Sequence, residues 1–535
     1  MKPRSFLLIL LNGLLVAAPL AGAELVSHNA SGTAAGNAQS FGPSLSANGR
    51  FVAFESQATD IGPGGPSVVS IFVRDLLTGT TVLASVNEPP YIGNPGAPRL
   101  SADGRYVAYQ RSTCASNPFC TTVDVFVRDL QTSTTTLVSV AQDGSPGGGS
   151  SPVISADGRH VAFTSFGNNL VPNDTNGTTD VFVRDLDTGT TRLAGVNAAG
   201  TGSGSGASRN PALSADGRFV AFESDAGDLV AGDANGATDV FVRDLQAGVT
   251  RLVSVDLAGT GSGNDASSTP RISADGSRVV FASEASDLVA TDTNGEQDLF
   301  FRDLPAGPTR LVSADLAGTD SGDSISYAPF LTPNGRFVAF QSAARDLADG
   351  DTNGGYEDIF LRDLDTGVTR LVTLNTSGGT DTHELSFLYA SFTSGAGVQV
   401  TSDDGRYVVF SSSSRNLVSG VSWVCEYEPC YQVFRRDLQA GVTALLSATP
   451  AGDQSGNRDD FSDEVAQISG DGRVAVFQTQ ASNLTSLPDT NNADDVFSVG
   501  APQAPPLAVV PALSEAGLAL LALLMAGLGL RAIRK

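Results

Sequence analysis

The sequence predicts an all-β fold, a single closed propeller of eight four-stranded blades, with seven blades as the alternative. Three observations predict it. An Asp-Gly or Asn-Gly pair between two short apolar runs recurs eight times, at Asn48-Gly49, Asp103-Gly104, Asp157-Gly158, Asp216-Gly217, Asp275-Gly276, Asn334-Gly335, Asp404-Gly405 and Asp471-Gly472. The spacing is 54 to 59 residues, stretched to 70 and 67 in two intervals, which is a repeat period rather than a single-core pattern. Finally, the array is cut unevenly: its last unit stops one strand short, and its start carries a lone extra strand.

The fourth unit shows how each repeat is built. Pro211 to Ser214 reads as a first strand, Ala215-Asp216-Gly217-Arg218 as a tight turn whose Gly accepts positive φ, and Phe219 to Glu223 as a second strand. Asp239 to Asp244 (DVFVRD) is a third strand and Thr250 to Val255 (TRLVSV) a fourth, with Gly248 between them. The last unit runs through Val465 to Phe477 and Asp495 to Val499 and has no fourth strand, whereas Glu24 to Gly32 copies the pattern of Arg192 to Gly200 and Arg251 to Gly259. The first strand is therefore expected to complete the last blade, closing the ring and covering two sheet edges. Residues 24 to 499 then give about 59 residues per blade.

Both ends carry processing signals. Lys2 and Arg4 precede the apolar run Phe6 to Ala18 and the small residues Ala21-Gly22-Ala23, so residues 1–23 read as a signal peptide. Residues 500–509 are a Pro/Ala-rich linker, and residues 510–535 combine VPALSEAG, the apolar run Leu518 to Leu530 and the basic Arg531, Arg534 and Lys535. That run is expected to form a short transmembrane helix, with its basic end in the cytoplasm. The whole chain carries 32 basic against 57 acidic residues, a net charge of -25, with no basic run before its end. Nucleic acid is excluded as a partner, because phosphate binding needs clustered positive charge.

With these residues in view, two resemblances emerge. PALSADGRFVAF followed by DVFVRDL resembles the TolB-type propeller repeat over nearly all of residues 24–499. Propellers of that type serve as binding platforms, as gates on peptidases and as lyases, so the resemblance implies a fold and leaves function open. The C-terminus resembles the exosortase-class sorting signals of Gram-negative bacteria headed by Ile-Pro-Thr-Leu-Ser-Glu-Trp-Gly. Pro511, Leu513, Ser514, Glu515 and Gly517 match that heading, while Val510, Ala512 and Ala516 differ. The resemblance implies a sorting protease in addition to signal peptidase, and a protein in the periplasm, envelope or surface of a Gram-negative cell, first anchored in the inner membrane.

In a propeller, the long loops between strands two and three share one face with the blade connectors, and function is expected there. That loop holds Asp-x-Asn-Gly-x-x-Asp in three units: Asp174, Asn176 and Asp180; Asp233, Asn235 and Asp239; Asp292, Asn294 and Asp298. The sixth unit gives Asp351, Asn353 and Asp358, and the eighth Asp489, Asn491 and Asp494, with Asn492 in place of Gly. Alternate oxygen ligands around a turn suit Ca²⁺; the same residues also suit Asx-type turns that need no metal. Where the motif is missing, the second unit places Cys114 and Cys120 in this loop and the seventh Cys425 and Cys430, each pair expected to form a local disulfide in an exported protein. The first unit has Pro63-Gly64-Gly65-Pro66 instead.

No catalytic residue is assigned. His28, His160 and His383 are the only histidines and do not cluster in sequence, and no Gly-x-Ser-x-Gly elbow follows the repeats. The recurrent Arg74-Asp75, Arg184-Asp185, Arg243-Asp244, Arg302-Asp303 and Arg362-Asp363 read as structural pairs or turn starters. The leading expectation is a binding or scaffold module for an envelope or extracellular protein or glycan. A carbohydrate-active lyase or hydrolase using channel carboxylates, and a structural matrix protein, are the alternatives. Asp381 to Gly397, with His383, Glu384, Phe387, Tyr389 and Phe392, reads as an insertion in a connector whose aromatics suit a ligand.

Overall fold

The computed structural model describes residues 22–503, apart from 63–68, 87–93, 113–122, 381–385, 389–397, 426–428 and 459–465. Eight four-stranded antiparallel sheets form the ring of an eight-bladed propeller, and no helix occurs among the described residues. Blades 1 to 8 begin at Ser40, Pro95, Ser150, Ser208, Ser267, Ser326, Ser386 and Gln467. In the fourth blade the strands are Ser208–Leu213, Phe219–Ser224, Asp239–Asp244 and Val249–Leu252. The innermost strand thus starts three residues before the Pro that marks it in the sequence.

Glu24–Leu25 pairs antiparallel with Asp495–Val499, so the first strand of the chain is the outer strand of blade 8. The backbone continues the closure, with Val26 N–H donating to the Val496 carbonyl at 2.8 Å.

Aromatic pairs formed within each blade pack against the neighbouring blade, so the core lies between blades. Phe or Tyr in the middle of the second strand stacks on Phe of the third in every blade, from Phe54 on Phe72 to Phe477 on Phe497, with ring centroids 5.6 to 6.0 Å apart. This aromatic face lies against small and β-branched residues of the preceding blade: Tyr109 and Phe126 of blade 2 share a cluster with Ala53, Ile71 and Val73 of blade 1. Strand alternation supplies the two faces, since side chains two residues apart point the same way. Burying each such ring contributes about 1.5–3 kcal/mol, repeated around the circle.

The Asp-Gly turns meet their neighbours in two ways. A Cβ on Gly104, Gly158, Gly217 or Gly276 would come within 2.2 to 2.3 Å of Phe51, Tyr106, His160 or Phe219 of the preceding blade, so these glycines make room for a ring as well as holding positive φ. The residues beside them join in a circle of hydrogen bonds around the axis. Backbone N–H groups of Asn48, Ala102, Asp157, Ala215, Ala274, Asp403 and Gly470 donate to carbonyls of Ala102, Ala156, Ala215, Ala274, Pro333, Gly470 and Ala47 at 2.7 to 3.4 Å.

On the same face, the turn Arg pairs with the Asp that ends the third strand: Arg50 with Asp75, Arg105 with Asp129, Arg159 with Asp185, Arg218 with Asp244, Arg336 with Asp363 and Arg406 with Asp437, and in blade 5, where the turn has Ser277, Arg278 at the start of the second strand pairs with Asp303, all at 2.6 to 3.2 Å. That Asp also starts the next turn, as when Asp244 Oδ1 accepts the Gln246 N–H at 3.0 Å. The preceding Arg of each Arg-Asp pair turns away; Arg243 donates to Thr250 Oγ1 of the outer strand at 2.7 Å.

Candidate functional site: the loop-rich face and the channel

The innermost strands line the axis, and those of blades 1 to 6 are each bent by a bulge. Gly42, Ala97, Ser151, Asn210, Thr269 and Ala328 all have φ of 50 to 61°, and each is followed by Pro. Five of these residues are not Gly, so the surrounding structure must hold them in the left-handed region. A polar side chain from the second strand of the preceding blade does this by accepting the bulge N–H: Gln478 for Gly42 (2.8 Å), Glu55 for Ala97 (2.8 Å), Gln110 for Ser151 (3.0 Å) and Glu223 for Thr269 (3.0 Å). These Glu and Gln residues were not singled out in the sequence, although they recur at the fifth place of FVAFE, YVAYQ and VAVFQ.

Glu223 shows what such a group can do chemically. Its Oε1 accepts Arg209 Nε and Asn210 Nδ2, each at 2.8 Å, while Oε2 accepts the Thr269 N–H. A carboxylate held by three donors serves as a fixed acceptor in the wall. Toward the Asp-Gly face the channel holds a cavity of ≈ 210 Å³, lined by Leu45, Leu100, Ile154, Leu213, Ile272 and Leu331 among others.

On the opposite face, the Asp-x-Asn-Gly loops of blades 4 and 5 share one construction. Asn235 donates from Nδ2 to Asp239 Oδ2 (2.9 Å) and to the carbonyl of Gly263 in the next connector (2.8 Å), while its Oδ1 accepts the Ala237 N–H (2.9 Å). Asn294 repeats all three bonds with Asp298, Gly322 and Glu296. The far oxygen of the last Asp accepts a hydroxyl from the outer strand: Ser254 to Asp239 (2.6 Å), Ser313 to Asp298 (2.5 Å) and Thr373 to Asp358 (2.6 Å). Asn176, Asn235, Asn294 and Asn491 thus each tie their blade to the following connector and form an Asx turn at the same time, whereas Asn353 Nδ2 donates to Asp358 and its Oδ1 has no hydrogen-bond partner.

The eighth blade corrects one residue of the motif. Asn491 donates to Asp495 Oδ2 at 3.0 Å and Ser27 to Asp495 Oδ1 at 2.6 Å, so Asp495, not Asp494, stands where Asp239 stands in blade 4. Asp495 lies four residues after Asn491, the spacing of Asp239 after Asn235, so Asp494 is one residue short of the motif, and Asn492 takes φ 53° in the place of Gly177, Gly236 and Gly295.

Burial pushes the carboxyls of Asp180, Asp239 and Asp298 up to about 7, and that of Asp495 up to about 8. The first Asp of each loop, Asp174, Asp233, Asp292, Asp351 and Asp489, is also raised by burial. Among the described residues, no group of three or more His, Cys, Asp or Glu side chains comes together as a metal cluster.

Cys425 and Cys430 form a disulfide in the second-to-third loop of blade 7. Cys114, Cys120 and Pro63 to Pro66 lie outside the described residues. The long insertion is placed differently from the sequence reading. Ser386–Phe387 is the innermost strand of blade 7, with Ser386 Oγ 2.9 Å from Ser412 Oγ, so the extra residues follow Leu388 and interrupt that strand rather than lengthen the connector. Phe387 packs on Tyr431, whereas His383, Glu384, Tyr389 and Phe392 lie outside the described residues.

Two comparisons bear on the chain as a whole. Residues 509–535 match the IPTL-CTERM motif. The IPTL-CTERM segment implies an exported protein processed at the envelope. Similar solved structures are TolB from Acinetobacter baumannii (17% identity, 56% of this chain and 58% of that one, TM-score 0.31), Porphyromonas gingivalis dipeptidyl peptidase 4 (14%, 83% and 56%, 0.48) and oligogalacturonate lyase from Vibrio parahaemolyticus (12%, 86% and 98%, 0.41). The chain spans 58% of the length of that TolB. No curated protein sequence matches it.

Proposed function

We propose that this IPTL-CTERM protein is a binding or scaffold propeller of the cell envelope, whose loop-rich face takes a protein or glycan partner. The observation that carries this reading is a fixed backbone presenting varied side chains. In six connectors, the N–H of Ala30, Gln142, Ala198, Leu257, Leu316 or Thr376 donates to a carbonyl of the following second-to-third loop, at 2.7 to 3.0 Å. The six side chains are all exposed, and differ at a position whose backbone does not. Leu257 and Leu316 are 63% and 58% exposed, and Phe166, on the same face of blade 3, is 76% exposed. Rigid loops carrying exposed apolar groups are what a binding surface needs, because little order is lost on association.

The test is retention on purified envelope polysaccharides and on isolated envelope fractions. A Phe166→Asp, Leu257→Asp, Leu316→Asp variant is expected to lose retention while melting at the same temperature. Unchanged retention overturns the reading, and release of new sugar ends from the polysaccharide points instead to a lyase or hydrolase. The IPTL-CTERM segment is proposed to hold the precursor in the inner membrane of a Gram-negative cell until a sorting protease acts. Fractionation of a Pro511→Ala, Glu515→Ala variant is expected to find it retained there.

A further inference from the structure

Blade 3 breaks the loop construction that blades 4, 5, 6 and 8 follow, and it does so at two points. The outer-strand hydroxyl is missing, because Gly195 occupies the place of Ser254 and Ser313. The Asn amide keeps its bond to the connector, Asn176 Nδ2 donating to the carbonyls of Gly204 (2.8 Å) and Gly206 (3.5 Å), but it makes no bond to Asp180 like those of Asn235 to Asp239 and Asn294 to Asp298. Asp180 is fully buried and Asp174 is 6% exposed, and none of their four carboxylate oxygens has a hydrogen-bond partner.

The two carboxyls are neighbours, each altering the titration of the other. Two adjacent buried carboxylates without donors repel one another and have lost their hydration, so an ionised pair requires a compensating positive charge. No Lys or Arg is paired with either in this loop.

We infer that Asp174 and Asp180 together hold one Ca²⁺ ion in blade 3. Ca²⁺ takes six to eight oxygen ligands and accepts irregular geometry, so four carboxylate oxygens with water completing the shell suit it better than Mg²⁺, which demands an octahedron. The neighbouring Thr175 and Asn176 N–H groups both donate to Ser203 Oγ (3.0 and 3.2 Å), which fixes the loop. In blades 4 and 5, Ser254 or Ser313 and an Asn amide already satisfy the corresponding carboxylate, so the inference concerns the loop of blade 3 and narrows the five-loop expectation to one. It goes beyond the binding reading and stands or falls apart from it.

The experiment is Ca²⁺ titration calorimetry of the full chain in detergent at pH 7.5, paired with melting in Ca²⁺ and in chelator. One ion per chain and a higher melting temperature in Ca²⁺ are expected, because a ligand of the native state raises stability by mass action. Asp174→Asn and Asp180→Asn are expected to lose both effects, and Asp298→Asn in blade 5 to keep both. If the Asn variants fail to fold, Gly195→Ser installs the hydroxyl that blades 4 and 5 carry while leaving both carboxylates, and is expected to weaken Ca²⁺ binding at least tenfold. Absence of any Ca²⁺ response, or a response that survives in Asp174→Asn, Asp180→Asn and Gly195→Ser, overturns the inference. A melting temperature that falls as pH rises through about 7 and ignores Ca²⁺ also overturns it, assigning the pair a shared proton instead.

Discussion

Asn334 donates from its side-chain amide to the backbone carbonyl of Asp403 at 2.6 Å. This bond supplies a link the backbone cannot make. At the other seven junctions of the ring around the axis, a backbone N–H reaches the next blade, but at the sixth the ring residue is Pro333, which has none. The amide of the next residue substitutes for it. Asn in place of Asp in this turn is therefore a structural choice.

Asn334→Asp tests that role with little collateral change. Asn334 Oδ1 accepts Thr332 Oγ1 and the Arg336 N–H, bonds a carboxylate keeps, so only the donor to Asp403 is lost. The variant is expected to lose about 1 kcal/mol in urea unfolding, the worth of one hydrogen bond. Asn48→Asp is expected to lose less, because the Asn48 N–H still donates to Ala102.

Glycines with the same φ are expected to differ sharply in the cost of an Ala. Gly248 has φ 68° and open space where a Cβ would go, so Gly248→Ala is expected to cost about 1 kcal/mol for backbone conformation alone. Gly276 has φ 73°, but its Cβ would lie 2.2 Å from the Phe219 ring, which must move into a packed inter-blade core. Gly276→Ala is expected to cost about 3 kcal/mol, the additional part being overpacking. Equal losses in denaturant unfolding would show that the glycines serve only the turn.

The blade count and the closure were legible because both are written in local pattern: Asp-Gly pairs at a fixed period, and a fourth-strand sequence at Glu24 to Gly32 with no blade before it. What the sequence does not display is the partner of each residue across a blade boundary. Asp75 looks paired with the adjacent Arg74, yet strand alternation separates their side chains and brings Arg50 from the turn instead. Asp495 keeps the spacing after Asn491 that Asp239 keeps after Asn235, but its partner, the hydroxyl of Ser27, lies 468 residues away where no local pattern reveals it. The innermost strand of blade 7 was hidden because the insertion cuts it into short pieces that carry no alternation.

Acid should weaken the propeller through its turn-face ion pairs. The Arg105 guanidinium beside Asp129, and Arg218 beside Asp244, hold those carboxyls down at about 2, against an ordinary value of 3.8. A depressed native value means that the unfolded chain binds more protons, so the stabilisation is fully present above about pH 4 and is lost as pH falls through 2. Urea midpoints measured from pH 5 to pH 2 should fall, and should fall less steeply in an Arg105→Gln, Arg218→Gln variant. A parallel slope in that variant would place the acid sensitivity elsewhere.

Closure of the ring rests on groups that no covalent connection holds in place. Ser27 Oγ donates to Asp495 Oδ1 and accepts the Val496 N–H at 3.0 Å, and Asn491 Nδ2 reaches the Gly36 carbonyl at 2.9 Å. Ser254 makes the same two bonds in blade 4, to Asp239 and Val240, but its strand is continuous with the third strand through a short turn. Ser27→Ala and Ser254→Ala each leave a buried carboxylate oxygen without its donor, and each is expected to cost about 1–3 kcal/mol. Their consequences should then diverge. In Ser27→Ala the outer strand of blade 8 can leave on its own, exposing the Asp495–Val499 edge to pairing with another chain. Light scattering should therefore detect concentration-dependent association of Ser27→Ala, with faster amide exchange in Val496 and Phe497, while Ser254→Ala stays at the wild-type mass. Association of both variants alike would mean that blade 8 is no easier to open than a blade made from one continuous stretch of chain.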